Sequence, residues 1–361
     1  MNPTGLLHRA GQSLWLDNIT RDLLTSGTLE RYARDLAVTG LTSNPTIYNR
    51  AIGGTSAYDE SIRTAAARGA SAEETFFELA LDDLRNAADV FRPVFDRTGG
   101  VDGYVSLEVS PVLAHDTGAT AREAARLHAL GARPNLFIKI PGTPEGLPAI
   151  EDSIFAGVPV NVTLLFSLPQ YAACAEAYTR GIERRIDAGL PAGVGSVASV
   201  FISRWDPAVS GSVPDELRNK LGIAIGQQVY ADYRRFFATD RWGRLQNEGA
   251  RPQRLLFAST GTKDPAAPDV LYVEGLAAPH TVNTMPEETL LAFADHGRVG
   301  SLLSADPAPA DALMARFAAA GVDVEAVGGD LQAKGAESFV KSWSSLLERI
   351  ETRAAQVASA G

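Results

Sequence analysis

The chain has 361 residues, of which 45% are hydrophobic and 21% are charged, and its formal net charge is −10 at pH 7. This composition is typical of a folded globular protein, and the acidic balance argues against a nucleic-acid or anionic-membrane partner, whose phosphates require a basic surface. The single cysteine excludes an intrachain disulfide, and the five histidines lack metal-ligand spacing, so we expect no metal site.

The N-terminal segment does not have the basic and then apolar layout of a signal peptide. Along the rest of the chain, no segment approaches about 20 uninterrupted apolar residues, the length that a membrane-spanning helix requires. We therefore expect a cytoplasmic protein without a membrane-spanning segment. A small phosphorylated ligand is still compatible with the negative net charge, because it needs only one or two local cations.

Short apolar runs follow one another along the chain and alternate with amphipathic segments. The apolar runs predict strands at 14–19, 38–43, 104–110, 136–141, 158–165, 197–203, 255–260 and 281–286. One predicted helix follows Ser71, whose hydroxyl forms a capping box with the carboxylate of Glu74. Another predicted helix runs from Thr120 to Gly131. Further helical patterns cover residues 215–238, 309–320 and 333–357.

Eight strands separated by helices predict an α/β fold with a parallel sheet, and eight is the number that closes a (β/α)8 TIM barrel. An open doubly wound sheet is the alternative, although no GxGxxG motif follows the first strand and the chain has no P-loop. No composition break or linker interrupts the chain. We therefore expect one barrel domain over residues 1–361, with residues 300–361 as a C-terminal helical extension packed on the barrel.

Lys139 interrupts the apolar run "LFIKIP" of the fourth predicted strand. A charged lysine is almost never fully buried without a partner, because removing its charge from water is costly. Two interpretations are open. Lys139 forms a structural ion pair with Glu108 or Asp17, or the site requires a lysine that can lose its proton.

Other polar side chains recur in phase on neighbouring strands. Residues two positions apart on a strand share a face, so each of these strands has one aliphatic face and one mixed face. The mixed faces carry Asp17, Glu108, Lys139, Asn161, Thr163, Ser199 and Phe201. Their polar members lie toward the C-terminal ends of the strands, where the active sites of TIM barrels form. We therefore predict that the mixed faces line the barrel interior and meet in one site.

A lysine, two carboxylates, amides and hydroxyls suit Schiff-base chemistry on a carbonyl substrate. The nucleophile must be a neutral amine, whereas an unperturbed lysine has a pKa of about 10.4, so lowering that pKa to about 7 takes about 4–5 kcal/mol. Burial in an apolar barrel and a nearby cation both act in this direction. The carboxylates would then move protons while the imine forms and a carbon–carbon bond breaks.

Three segments resemble the signature segments of transaldolase: "LTSNPT" at 41–46, "FIKIPGT" at 137–143 and "VNVTLLFS" at 160–167. The resemblance extends from about residue 12 to residue 290, and the long chain is similar to the actinobacterial and cyanobacterial branch of that family. It implies a class I Schiff-base enzyme on a (β/α)8 barrel that needs no cofactor or metal. It also implies transfer of a dihydroxyacetone unit from sedoheptulose 7-phosphate to glyceraldehyde 3-phosphate in the pentose phosphate pathway.

The resemblance implies catalytic roles for four of the residues that match the family's motifs. Lys139 in "FIKIPG" would be the Schiff-base lysine. Glu108 in "VSLEVS" would be an acid and base that acts through a bound water, and Thr163 in "NVTLLFS" would hold that water. Asp17 in "LWLDN" would be the base that deprotonates the hydroxyl at the bond that breaks.

The resemblance also implies substrate-binding residues on other strands. Asn44 and Asn161 would hold substrate hydroxyls and the intermediate, and Ser199 would bind the terminal hydroxyl of the dihydroxyacetone unit. The related fructose-6-phosphate aldolases carry a tyrosine at the position of Phe201, where the hydroxyl takes part in proton transfer. Phenylalanine cannot do this, so Phe201 favours a transferase.

A phosphate site is expected at the ends of two later strands. Arg204 lies just past its strand, where a guanidinium can bind phosphate through two hydrogen bonds. The resemblance implies that Ser259 and Lys263 of "ASTGTKDP" complete this site. The chain departs here from the best-known branch of the family, because Gly261 stands where that branch has an arginine. Alternatively, Arg204 and Lys263 are loop cations that face solvent and bind no phosphate.

Two other functions are open alternatives. One is an aldolase that releases dihydroxyacetone instead of transferring it, similar to the fructose-6-phosphate aldolases. The other is a non-catalytic barrel that binds sugar phosphates as a sensor or scaffold. Sugar phosphates are the expected partners in each case, and the sequence contains no distinctive apolar stripe from which an oligomeric state follows.

Overall fold

The eight predicted strands form a closed barrel in which each strand pairs in parallel with the next and the last pairs with the first. The computed structural model describes residues 2–359. The strands are β1 (Gln12–Leu16), β2 (Val38–Thr42), β3 (Val105–Glu108), β4 (Leu136–Pro141), β5 (Val160–Leu165), β6 (Ser196–Phe201), β7 (Arg254–Ala258) and β8 (Thr281–Met285). Because the strands are parallel, closed and separated by helices, the (β/α)8 TIM barrel is confirmed and the open doubly wound sheet is wrong.

Most of the predicted strands extend farther toward the C-terminus than the observed strands. β4 has its predicted bounds, whereas β1 ends at Leu16 and leaves Asp17 in the loop that follows. β3 likewise ends at Glu108, before the predicted end at residue 110. The apolar runs continue past the strands because the first loop residues are buried too: Val109 is 1% exposed and Ile202 is 0% exposed.

The amphipathic segments form the helices that surround the barrel. They are α1 (Pro3–Arg9), α2 (Arg21–Thr25), α3 (Thr28–Asp35), α4 (Pro45–Gly54), α5 (Asp59–Ala67), α6 (Ala72–Arg97), α7 (Thr117–Gly131), α8 (Gly146–Ala156), α9 (Leu168–Asp187), α10 (Trp205–Val209), α11 (Leu221–Phe236), α12 (Asp240–Asn247), α13 (Leu271–Gly275), α14 (Glu287–His296), α15 (Ala308–Ala319) and α16 (Val324–Ser359). Within residues 2–359, none of them combines the length and the apolar character needed to cross a lipid bilayer.

Side-chain caps decide where two of the predicted helices begin. The capping box before α6 is confirmed: the Glu74 N–H donates to Ser71 Oγ at 3.2 Å, and the Glu74 carboxylate accepts from the Ser71 N–H at 2.8 Å. The predicted start of the next helix at Thr120 is wrong, because the Asp116 carboxylate caps α7 one turn earlier. The end of α7 at Gly131 is confirmed.

The helix predicted over residues 215–238 begins later than expected. Asp215–Leu217 form only a short 3-10 turn, and Asn219 then adopts a left-handed conformation with φ of +57°. The regular helix α11 starts at Leu221, whose N–H donates to Asp206 Oδ1 at 2.9 Å. The left-handed residue interrupts the helical hydrogen bonds, which explains the difference.

Two helices close the chain. α15 is shifted by a single residue from its predicted bounds, whereas α16 is one helix of 36 residues that begins well before the predicted residue 333. Its glycines weaken the helical pattern but permit close packing on the barrel. A Cβ at Gly328 would lie 3.1 Å from the Trp205 ring, and a Cβ at Gly335 would lie 3.0 Å from Leu164 Cδ2.

That residues 1–361 form a single domain stays a prediction. Residues 1, 360 and 361 of that range lie outside the described residues.

Candidate active site

A cavity of about 420 Å³ opens at the C-terminal ends of the barrel strands. The predicted site residues that line it are Asp17, Asn44, Lys139, Thr163, Ser199, Phe201, Arg204, Ser259 and Lys263. The other two, Glu108 and Asn161, lie behind this lining and bond to Lys139 and Ser199 respectively. The structure thus brings all of the predicted site residues together at one end of the barrel, while their roles stay predictions.

Lys139 lies on β4 with its side chain 7% exposed. Its Nζ donates to the carbonyl oxygen of Ser43 at 3.0 Å and lies 3.4 Å from Glu108 Oε2. Glu108 is adjacent because the parallel register of β3 and β4 sets it directly beside Lys139. The ion pair that the sequence left open is therefore present, but the same lysine also lines the open cavity.

Two buried carboxyl groups lie within reach of the lysine charge. Burial raises the pKa of Glu108, and the charge of Lys139 is the main opposing influence. Burial also raises the pKa of Asp17. The charge of Lys139 and a 2.9 Å hydrogen bond from Thr42 Oγ1 partly oppose this rise. A raised pKa brings a carboxyl group closer to the pH at which it exchanges protons with a substrate.

Polar side chains on β3, β5 and β6 form a hydrogen-bonded chain beside the lysine. Ser199 Oγ donates to Asn161 Oδ1 at 2.6 Å, and Asn161 Nδ2 donates to Ser106 Oγ at 3.1 Å. The register of β4 and β5 pairs Asn161 with Lys139. Because its oxygen accepts and its nitrogen donates, the Asn161 amide is held in one orientation next to the amine.

Thr163 projects from an irregular part of β5. The pairing of β5 with β6 shifts register between Val162 and Leu165, and Leu164 has a left-handed φ of +60°. A residue other than glycine is strained in this conformation, and such strain clusters at functional sites. Thr163 Oγ1 and Glu108 Oε1 are buried without a hydrogen-bond partner in the described part of the chain. Since buried polar atoms are rarely left unpaired, both are suited to bond to a bound molecule.

Two predicted cations line the same cavity. Arg204 is half-buried, and this burial lowers the pKa of its guanidinium. The guanidinium carbon lies 5.3 Å from the centre of the Phe201 ring. Among the residues that the structure describes, Arg204 has no hydrogen-bond or ion-pair partner. Lys263 is exposed, and Ser259 Oγ bonds to Ser203 Oγ at 2.9 Å. Two cations and a hydroxyl around one opening suit an anionic group such as a phosphate.

Gly261 lies where the resemblance leads one to expect an arginine. A Cβ at this position would lie 3.2 Å from Pro286 Cγ and 3.2 Å from Thr289 Oγ1. A larger side chain would therefore require its neighbours to shift. Lys263, two residues later, is the cation that this loop presents to the cavity.

Sequence reasoning missed several cavity-lining residues that lie on helices. They are Thr46, Ile47, Arg50, Ser338, Phe339 and Ser342. Thr46, Ile47 and Arg50 share one face of α4, which begins right after Asn44, so helical spacing was an available signal. Arg50 is exposed and has no ion-pair partner within residues 2–359. No local pattern in the sequence indicates that the other three residues reach the cavity from α16.

Comparison with known proteins agrees with the geometry. The family model described as Transaldolase/Fructose-6-phosphate aldolase matches residues 14–350. A protein named Transaldolase from Parafrankia sp. (strain EAN1pec) is 45% identical over 366 residues, which cover 99% of this chain and 99% of that protein. A protein of the same name from Acidothermus cellulolyticus is 47% identical, over 96% of this chain and 95% of its own length. Another, from Thermobifida fusca, is 46% identical, over 97% of this chain and 97% of its own length.

Proposed function

This chain belongs to the transaldolase/fructose-6-phosphate aldolase family and has transaldolase function, and we propose that it works through a Schiff base on Lys139. The proposed donor is sedoheptulose 7-phosphate, and the proposed acceptor is glyceraldehyde 3-phosphate. The position of Lys139 carries the proposal, because the lysine is buried, lies 3.4 Å from Glu108 Oε2 and lines a cavity of about 420 Å³. An amine in this position can reach a ketose carbonyl and has a proton-exchanging group beside it.

The first step is attack of the neutral Lys139 amine on C2 of the ketose, which gives a carbinolamine. Glu108 then donates a proton, through a water that also contacts Thr163, to the departing hydroxyl, and the iminium forms as water leaves. The unpaired Glu108 Oε1 and Thr163 Oγ1 support this assignment, since both are buried and have bonding capacity left. Glu108 reverses its role when the product iminium is hydrolysed.

Carbon–carbon cleavage follows in the same cavity. Asp17 takes the proton of the C4 hydroxyl, the bond between C3 and C4 breaks, and its electron pair moves into the iminium. Erythrose 4-phosphate leaves, and an enamine stays on Lys139. The raised pKa of Asp17, caused by burial, supports this role because it makes the carboxylate a stronger base. Addition of the acceptor aldehyde to the enamine runs these steps in reverse and gives fructose 6-phosphate.

Substrate binding divides between hydroxyl-binding and phosphate-binding side chains. The side chains proposed to hold the hydroxyls are Asn44, Asn161 and Ser199. The side chains proposed to hold the phosphate are Arg204, Ser259 and Lys263, with Arg50 as an additional cation. Local cations are needed here because the chain as a whole carries a net charge of −10.

Phe201 supports transfer rather than simple release of dihydroxyacetone, because it lines the cavity without a hydroxyl that can move a proton. We also propose that the protein acts on soluble sugar phosphates of the pentose phosphate pathway, in the cytoplasm. No nucleic-acid partner is proposed, since the acidic chain would be repelled by a phosphate backbone.

Borohydride reduction in the presence of fructose 6-phosphate tests the proposal. We expect a covalent adduct on Lys139, located by peptide mass spectrometry, and none in the matched variant Lys139→Arg, which keeps the charge. Adding erythrose 4-phosphate should then yield sedoheptulose 7-phosphate.

Each other outcome points to a different conclusion. Turnover without an adduct on Lys139 would refute the nucleophile. An adduct with release of dihydroxyacetone but no transfer would favour the aldolase. Binding of fructose 6-phosphate with neither adduct nor turnover would favour the non-catalytic barrel.

A further inference from the structure

The long helix α16 crosses the open end of the barrel and is attached on both sides of it. At the C-terminal ends of β4 and β5, Gln332 Nε2 donates to the carbonyl oxygens of Gly142 at 3.0 Å and Leu164 at 2.9 Å. Toward the other end of α16, the Arg353 guanidinium binds both carboxylate oxygens of Asp59, at 2.6 and 2.9 Å. Asp59 begins the helix α5, which belongs to the connection after β2. The middle of α16 is therefore held over the cavity.

Phe339 lies between these two attachments and lines the cavity. Its ring centre is 6.0 Å from Lys139 Nζ, and the side chain is half-buried. Trp343, one turn later, instead packs edge-on against Phe76 with ring centres 5.0 Å apart. Trp343 thus supplies packing between helices, whereas Phe339 presents an aromatic wall to the reacting amine.

We propose that Phe339 is a specificity-determining residue that keeps solvent from the enamine on Lys139 and so favours transfer over release. The inference rests on the proposed function. Release requires three steps: a proton adds to the enamine carbon, water adds to the resulting iminium carbon and loses a proton, and the carbinolamine separates into dihydroxyacetone and the free amine. Transfer instead requires the enamine to stay unprotonated until an acceptor aldehyde arrives.

The geometry separates this solvent from the water that the reaction needs. Glu108 lies behind the cavity lining and carries the unpaired Oε1, so the water of imine hydrolysis belongs to that side. Phe339 comes from α16, on the side where the cavity opens and where the first aldehyde leaves. An apolar ring there removes hydrogen-bond partners from any water that would protonate the enamine.

The experiment measures the ratio of dihydroxyacetone release to transfer in a graded series at one position. Release is followed by reduction of dihydroxyacetone with a coupled dehydrogenase, and transfer by formation of sedoheptulose 7-phosphate from fructose 6-phosphate and erythrose 4-phosphate. We expect the ratio to rise about threefold in Phe339→Leu and about tenfold in Phe339→Ala, the latter corresponding to about 1.4 kcal/mol between the two barriers. Val340→Ala is the matched control, because Val340 is on the same helix but lines a separate groove with Pro111 and His115.

Two results would overturn the inference while leaving the proposed function intact. One is a ratio unchanged within about twofold in a Phe339→Ala protein that still forms the borohydride adduct. The other is an equal rise in Val340→Ala, which would attribute the effect to a loosened helix. If Phe339→Ala does not fold, Phe339→Leu decides alone, since no rise in that variant contradicts the inference. A wild-type protein without an adduct would instead remove the proposed function itself.

Discussion

Replacing Lys139 by methionine should destabilise the protein in a pH-dependent way, because the change leaves Glu108 buried without its partner. The two side chains are only 7% and 5% exposed, and Lys139 Nζ lies 3.4 Å from Glu108 Oε2. Removing one member of a buried ion pair costs about 3–5 kcal/mol when the other member stays charged. Glu108 avoids part of this cost by taking up a proton, so we expect a loss of about 1–3 kcal/mol at about pH 8.

The sign of the pH dependence follows from the direction of the pKa shift. Burial already raises the pKa of Glu108, and Lys139→Met removes the charge that opposes this rise. A carboxyl group whose folded-state pKa is raised contributes stability that is fully present below its unfolded pKa and is lost as the pH rises through its folded pKa. The variant should therefore lose stability relative to the wild type between about pH 5 and about pH 8. Asp17 acts with the same sign, because Lys139 opposes its raised pKa as well.

Urea unfolding followed by circular dichroism, at both pH values, measures this effect. The set consists of the wild type, Lys139→Met, Glu108→Gln and the double variant. The double variant should recover part of the lost free energy of unfolding at high pH, with the remaining slope due to Asp17. An equal loss in Lys139→Met at both pH values, or no recovery in the double variant, would show that the charge of Glu108 does not cause the destabilisation.

Four further changes probe other parts of the site. Phe201→Tyr should raise the release of dihydroxyacetone relative to transfer, because it adds a hydroxyl that can move a proton; an unchanged product ratio would mean that this position does not control release. Lys263→Ala should raise KM for phosphorylated substrates more than it lowers kcat, with Arg50→Ala acting in the same direction; equal weakening toward unphosphorylated fructose would contradict a phosphate role. Gln332→Ala should lower kcat by about fivefold with little change in KM, because loss of a hydrogen bond worth about 1 kcal/mol loosens the backbone beside Thr163. A change confined to thermal stability would make Gln332 merely structural.

The barrel and the interior positions of its polar residues could be predicted because both follow from local periodicity. Alternation along "LFIKIP" sets Lys139 on a different face from Ile138 and Ile140. Eight such strands in parallel close into a barrel. The register of that barrel sets Glu108 and Asn161 on either side of Lys139. The pair with Glu108 could be offered only as one of two interpretations, because alternation gives a face and not a distance.

The remaining features depend on contacts between distant parts of the chain. Arg50 reaches the cavity because α4 turns that face inward, which depends on how α4 packs against α16. The sequence predicts an amphipathic helix around Phe339, and an apolar residue of such a helix normally belongs to the core. Only the path of α16 over the barrel makes it a wall of the cavity. No local pattern in a sequence specifies such a path.

The same long-range packing connects the C-terminal helix to the geometry of the strands that line the cavity. Leu164 adopts a left-handed φ of +60°, a conformation that costs about 1–3 kcal/mol in a residue other than glycine. The hydrogen bond from Gln332 to the Leu164 carbonyl offsets about 1 kcal/mol of that cost, and Gly335 permits the approach because a Cβ there would lie 3.0 Å from Leu164 Cδ2. Without the hydrogen bond from α16, the irregular part of β5 that carries Thr163 would be free to relax. The helix therefore stabilises the shape of the site as well as covering it, and weakening it should reduce activity before it unfolds the barrel.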